Sequence, residues 1–163
     1  MRVILHLLFA ALIGLQAYAW AVPANDMPAT GSGGVNAPQH HDKPHVVLVS
    51  LDGFRWDYAQ RFPTPNIQRL LASGTHAEYL TPVWPTLTFP NHYSLATGLP
   101  PAKHGLVGNN FPLRPDEGWY RISDRETVAN GSLYRGTPIW VLAEQQGMVS
   151  ASYFWVGSEA PIQ

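Results

Sequence analysis

Thr86 and Thr88 flank Leu87 immediately before Phe89, Pro90, Asn91 and His92. A threonine at a helix start can cap free backbone amides. It can also attack a phosphoryl group, because a helix N-terminus carries partial positive charge and unpaired N–H groups that favour an anion. A threonine hydroxyl is a poor nucleophile unassisted, so the second role needs an activator. Asp52 is a separate candidate, for metal binding. It directly follows an apolar run at 46–51, and ligands of open α/β sheets bind beyond the carboxyl ends of strands. There it can hold a divalent cation or, paired with Gly53, cap a turn. His92 lies four residues after Thr88 and shares its helical face. A structural hydrogen bond suits it better than a general-base role. Asn109 and Asn110 follow His104 and Gly105 in a glycine-rich loop. An amide there can donate to a phosphoryl oxygen, or form a positive-φ turn. Trp84, Phe89, Trp119, Tyr153 and Trp155 can stack on a base or fill a core, and for most of them the core is expected.

These residues need elements to hold them. The run at 46–51 is β-branched and lacks alternation, which predicts a strand covered on both faces. Residues 64–74 predict a helix with Pro65 in the first turn, Ile67, Leu70 and Leu71 on one face, and Gly74 as the stop. Residues 75–85 alternate, but Pro82 weakens a strand there. A helix follows from about Pro90 to Thr97, ended by Gly98. Residues 99–118 are rich in Pro and Gly and predict a loop. Residues 137–147 predict a helix with Ile139, Leu142 and Ala143 inward, and 148–155 a further strand. Strands alternating with helices predict an α/β domain, with a mainly parallel sheet flanked by helices.

Composition narrows the function. The sequence has 163 residues, a formal net charge of −1 and no cysteine. No basic field for a nucleic-acid groove is indicated. Thiolate zinc sites and cysteine nucleophiles are excluded. Arg2, the apolar run after it and the Ala17-Tyr18-Ala19 processing site predict a signal peptide over 1–19. The run is short for a bilayer span. The expected location is periplasmic or secreted, with no stable membrane span after cleavage. Residues 23–44 hold almost no large apolar side chain, and 20–44 is expected to be a flexible leader. His40, His41 and His45 in and beside it are expected in a solvated linker rather than a metal tail. The folded part is then 45–163.

Several blocks taken together carry a resemblance. VVLVSLDGFRWDY, TPNIQRLLASG, PVWPTLTFPNHYSLATGLPPAKHGLVGNN, PIWVLAEQQG and YFWVGSEAPIQ occur in this order. They resemble the nucleotide pyrophosphatase/phosphodiesterase family of the alkaline phosphatase superfamily, over about residues 45–163. The resemblance implies an alkaline-phosphatase-like α/β fold, incomplete at the C-terminus. It implies that Asp52 binds one of two zinc ions. It implies Thr88, rather than Thr86, as the nucleophile and a zinc ligand. Asn109 would contact the phosphoryl oxygen, and Phe89 would lie beside the nucleotide base. Leu87 stands where relatives often carry Lys, which affects charge near the entrance and not the reaction class.

The implied reaction is hydrolysis of nucleotide phosphodiester or pyrophosphate bonds, with a small-molecule nucleotide as substrate. Another metal-dependent phospholipid or phosphonate hydrolase of the superfamily is the alternative, and a catalytically inactive exported fragment is the non-enzyme reading. The family's other zinc ligands are Asp and His residues of a later part of the domain. The chain is therefore expected to be the N-terminal portion of a longer enzyme and inactive alone.

Overall fold

The computed structural model describes residues 34–162. The signal peptide expected over 1–19 lies outside the described residues. So does the leader up to residue 33. Residues 34–44, expected to belong to the leader, make contacts with residues 146–149. Ala37 N–H donates to the Gly147 carbonyl at 2.7 Å, and the Asn36 side chain accepts from Val149 N–H. His40 Nε2 meets the Gln146 carbonyl at 3.0 Å, and His41 Nε2 meets the Asn36 carbonyl at 2.7 Å. The first ring ties distant segments and the second makes a local tie.

Six α-helices and one hairpin are described, with short 3-10 turns at Pro38–His40 and Gly131–Leu133: α1 (Tyr58–Arg61), α2 (Pro65–Ser73), α3 (Thr88–Thr97), α4 (Pro101–His104), β1 (Asn110–Pro112), β2 (Trp119–Arg121), α5 (Arg125–Val128) and α6 (Ile139–Gln145). α2 begins with proline, whose fixed φ suits the first turn, and ends at Gly74. α3 ends at Gly98 with φ 70°, a left-handed turn that glycine adopts without strain.

The expected mainly parallel sheet does not occur among the described residues. The only sheet there is β1 paired antiparallel with β2. A strand exists only where another strand takes its N–H and C=O groups, so an apolar β-branched run is insufficient. Residues 46–51 have no such partner. Val46 is 71% exposed, whereas Val49 and Ser50 are buried. The run at 148–155 is pulled out of extended geometry. Ser150 binds the Trp140 carbonyl and the Glu144 carboxylate, and Phe154 takes φ 54°. Residues 75–85 also form no strand.

Conversely, the segment expected to be loop contains α4 and β1. Phe111 and Tyr120 stand opposite each other across the hairpin, with rings stacked at 4.9 Å. Such a cross-strand aromatic pair stabilises a short ladder that the prolines alone would weaken. α6 also turns differently from its expected orientation. Ile139 and Leu142 are exposed, and Trp140 packs against the core instead. The large indole covers more apolar surface than either aliphatic side chain.

The core joins α3 to the hairpin and to the chain's last turns. It contains Tyr93, Ala96, Leu106, Tyr120, Val128, Tyr134, Trp155 and Val156. The Tyr134 hydroxyl donates to the Val128 carbonyl at 2.8 Å, so the Tyr120 hydroxyl must donate to the Tyr134 oxygen at 2.9 Å. Of the five aromatics named above, Trp155 lies in this core and Phe89 at its edge, while Trp84, Trp119 and Tyr153 are exposed. The core expectation therefore holds for a minority of them.

Candidate active site

Thr88 opens α3, and Leu87 occupies the capping position without a side-chain cap. Neither Thr86 nor Thr88 is therefore the cap. The first turn leaves few free donors. Pro90 has no N–H, and Phe89 N–H donates to Asn109 Oδ1 at 3.0 Å. Asn109, from the loop after α4, does the capping from 20 residues away. Because Oδ1 accepts that hydrogen, the Nδ2 group is the end left to donate elsewhere.

The Thr88 hydroxyl donates to Asp52 Oδ2 at 3.0 Å. This contact joins residues 36 apart in sequence. Asp52 is exposed and Thr88 half-buried, so the pair opens to solvent at a helix N-terminus. That end carries partial positive charge, which favours an anionic group beside the hydroxyl. Thr86 is exposed. Phe89 is half-buried, with its ring edge-on to Tyr120 at 6.2 Å.

The two histidines near the site are structural in their contacts. His92 is buried. Its Nδ1 meets the Thr88 carbonyl at 2.8 Å, and its Nε2 meets Ser50 Oγ at 3.1 Å. His104 is fully buried, with Nδ1 accepting from Leu106 N–H and Nε2 against Ser94 Oγ at 2.9 Å. Burial pushes its pKa below the usual imidazole value, so it stays neutral. Asn110 begins β1, pairing with Arg121.

Three residues that position this site lie within the motif blocks, but none of them is assigned that role from the sequence. Asn91 Oδ1 accepts from Val83 N–H at 2.8 Å, and its Nδ2 donates to the Pro85 and Leu87 carbonyls at 3.0 and 2.9 Å. It folds the approach to Thr88 onto the helix. Its signal in the sequence is the proline-rich approach itself, whose carbonyls need a donor that proline cannot supply. Trp155 Nε1–H donates to the His92 carbonyl at 2.9 Å from 63 residues away. Ser50 reaches His92 from the segment that carries Asp52.

The profile of the "Type I phosphodiesterase / nucleotide pyrophosphatase" family matches residues 46–163, which include every residue of this constellation. The chain belongs to that family. Similar curated relatives include ectonucleotide pyrophosphatase/phosphodiesterase family member 3 of Bos taurus, 42% identical over 77% of this chain. Venom phosphodiesterase 2 of Crotalus adamanteus is 40% identical over 80% of it. Ectonucleotide pyrophosphatase/phosphodiesterase family member 1 of Homo sapiens is 39% identical over 78%. The chain spans only 14–16% of the length of these relatives.

Membership in the phosphodiesterase/pyrophosphatase family implies an alkaline-phosphatase-like α/β fold, whereas the described residues show mostly helices and one two-stranded antiparallel sheet. The family is typically zinc-dependent. Among the described residues no group of three or more His, Cys, Asp or Glu side chains is placed to hold a metal. The donor chemistry nevertheless fits one side of a zinc site. A carboxylate oxygen and a hydroxyl oxygen, 3.0 Å apart and open to solvent, are both hard donors that can contact a single cation. No helix among the described residues is long and apolar enough to cross a membrane.

Proposed function

We propose that this chain carries the nucleophile-bearing part of an enzyme that hydrolyses nucleotide phosphodiester and pyrophosphate bonds, with Thr88 as the attacking residue. The observation that supports this most is the 3.0 Å contact between Thr88 Oγ1 and Asp52 Oδ2 at the open N-terminus of α3. It singles out one of two neighbouring threonines and gives its hydroxyl proton a carboxylate to face. Asp52 and Thr88 would hold one zinc ion between them, with further ligands from outside the described residues. Bound zinc would supply charge neutralisation at the phosphoryl oxygens and favour the deprotonated hydroxyl.

The roles of the chain's own atoms follow. The Thr88 oxygen forms a new bond to phosphorus as the bond from phosphorus to the leaving oxygen breaks. A nucleotidyl-threonine results, and its hydrolysis by water releases the nucleoside monophosphate and restores the hydroxyl. Asn109 Nδ2 donates to a phosphoryl oxygen where negative charge builds. Phe89 borders the nucleotide base. Export to the periplasm or beyond is part of the same proposal, supported by the apolar N-terminus and the processing site after it.

Turnover of a nitrophenyl nucleotide ester tests the assignment. In the enzyme that contains this sequence, Thr88→Ala abolishes turnover, and Asn109→Ala lowers kcat by about 10²–10³. Mass spectrometry of trapped intermediate places the adduct on Thr88; an adduct on any other residue overturns the proposal. Competition between a dinucleotide, a choline phosphodiester and a phosphonate separates nucleotide hydrolysis from the other hydrolases of the superfamily.

A further inference from the structure

We infer that His92 is a positioning residue that locks the Asp52 segment to the Thr88 end of α3. The inference rests on the reading of Asp52 and Thr88 given above. A carbonyl can only accept, so the 2.8 Å contact fixes the hydrogen on Nδ1, donated to the Thr88 backbone carbonyl. The other ring nitrogen, Nε2, meets the Ser50 hydroxyl at 3.1 Å. Both nitrogens are taken, which leaves no lone pair for the Thr88 hydroxyl and argues against a general-base role.

The topology gives this ring its effect. Ser50 stands two residues before Asp52, and Thr88 one helical turn before His92. Two side-chain bonds therefore span the same two segments: Ser50 to His92, and Thr88 to Asp52. The first is buried and the second open. A buried bond is protected from competing water, so it fixes the separation at which the open pair meets. Trp155 steadies the ring from the core side, bonding the His92 carbonyl and setting its indole edge-on to the imidazole at 5.9 Å. The rest of the 46–51 run has no ladder partner among the described residues, so few other restraints hold Asp52 at this distance.

The test uses the 163-residue chain itself. The ¹³C shift of the Asp52 carboxyl reports its bond to Thr88 without any metal, and Thr88→Ala defines the value with that bond lost. Ser50→Ala removes only the buried tie. His92→Asn keeps an amide near the Thr88 carbonyl but cannot reach Ser50. Both variants are expected to move the Asp52 shift toward the Thr88→Ala value. In the enzyme that contains this sequence, both are also expected to weaken zinc binding by about tenfold, the usual cost of disturbing a residue that supports a ligand. A merely structural role would lower the melting temperature and leave the Asp52 shift in place. If the shift in both variants stays at that of the unaltered chain, the positioning role is wrong. If Thr88→Ala itself leaves the Asp52 shift unchanged, the pairing of Asp52 with Thr88 is what fails.

Discussion

The two halves of the candidate site rest on different foundations. Thr88 begins a helix whose inner face is buried against Leu106, Tyr120, Tyr134 and Trp155. Asp52 ends a run in which Val46, Val47 and Leu48 are all exposed, and nearby Leu80 is 74% exposed. The Thr88 hydroxyl is thus placed by dense packing, and the Asp52 carboxylate by a few hydrogen bonds. Interiors packed like organic crystals resist small displacements, whereas exposed segments open locally at little cost. Preorganisation in this chain therefore flows from the tyrosine-rich core through α3 and His92 to Asp52.

Alkaline pH should break the packed side first and most severely. Burial raises the pKa of Tyr120, of Tyr134 and of Tyr93, the last to about 12. The unfolded chain releases these protons near pH 10 and the folded chain holds them longer. The folded state binds more protons in that window, so stability is fully present below pH 10 and falls as pH rises from 10 to 12. Near-ultraviolet circular dichroism of the tyrosines should collapse over this range. Tyr93→Phe should lessen the loss, and because the Tyr93 hydroxyl is buried without a hydrogen-bond partner, it should cost little at neutral pH.

Asn91→Ala acts at the seam between the two regions. It leaves the Val83 N–H and the Pro85 and Leu87 carbonyls without their side-chain partner. A loss of about 1–3 kcal/mol is expected in denaturant unfolding. Faster amide exchange should be confined to the approach to α3. Loss of protection across Tyr120 and Tyr134 would instead mean that the approach and the core form one cooperative unit.

The smallest effect belongs to the exposed side. Leu80→Ser should change stability by no more than about 0.5 kcal/mol, as surface substitutions generally do. A loss several times larger would show that this side is packed in solution, and would erase the contrast with α3.

The sequence alone determined whatever depends on near neighbours along the chain. Pro65 and Gly74 bound α2, and Gly98 ends α3, because proline and glycine act through their own backbone angles. The ordered blocks around TFPNHYSLATGL carried the family. Helical spacing alone brings His92 to Thr88, and it read as a structural hydrogen bond rather than a base because metal activation would make a base unnecessary. Tertiary structure decided what needs a distant partner. An apolar run is not a strand until another strand meets it, which is why 46–51 and 148–155 were expected to pair and do not among the described residues. The hairpin pairing of Phe111 with Tyr120 emerged where loop was expected. The choice of Asn109 as the helix cap, and the meeting of Thr88 with Asp52, likewise appear only once the chain has folded. Both contacts bridge tens of residues, and no local preference of the backbone encodes a distance across such a gap.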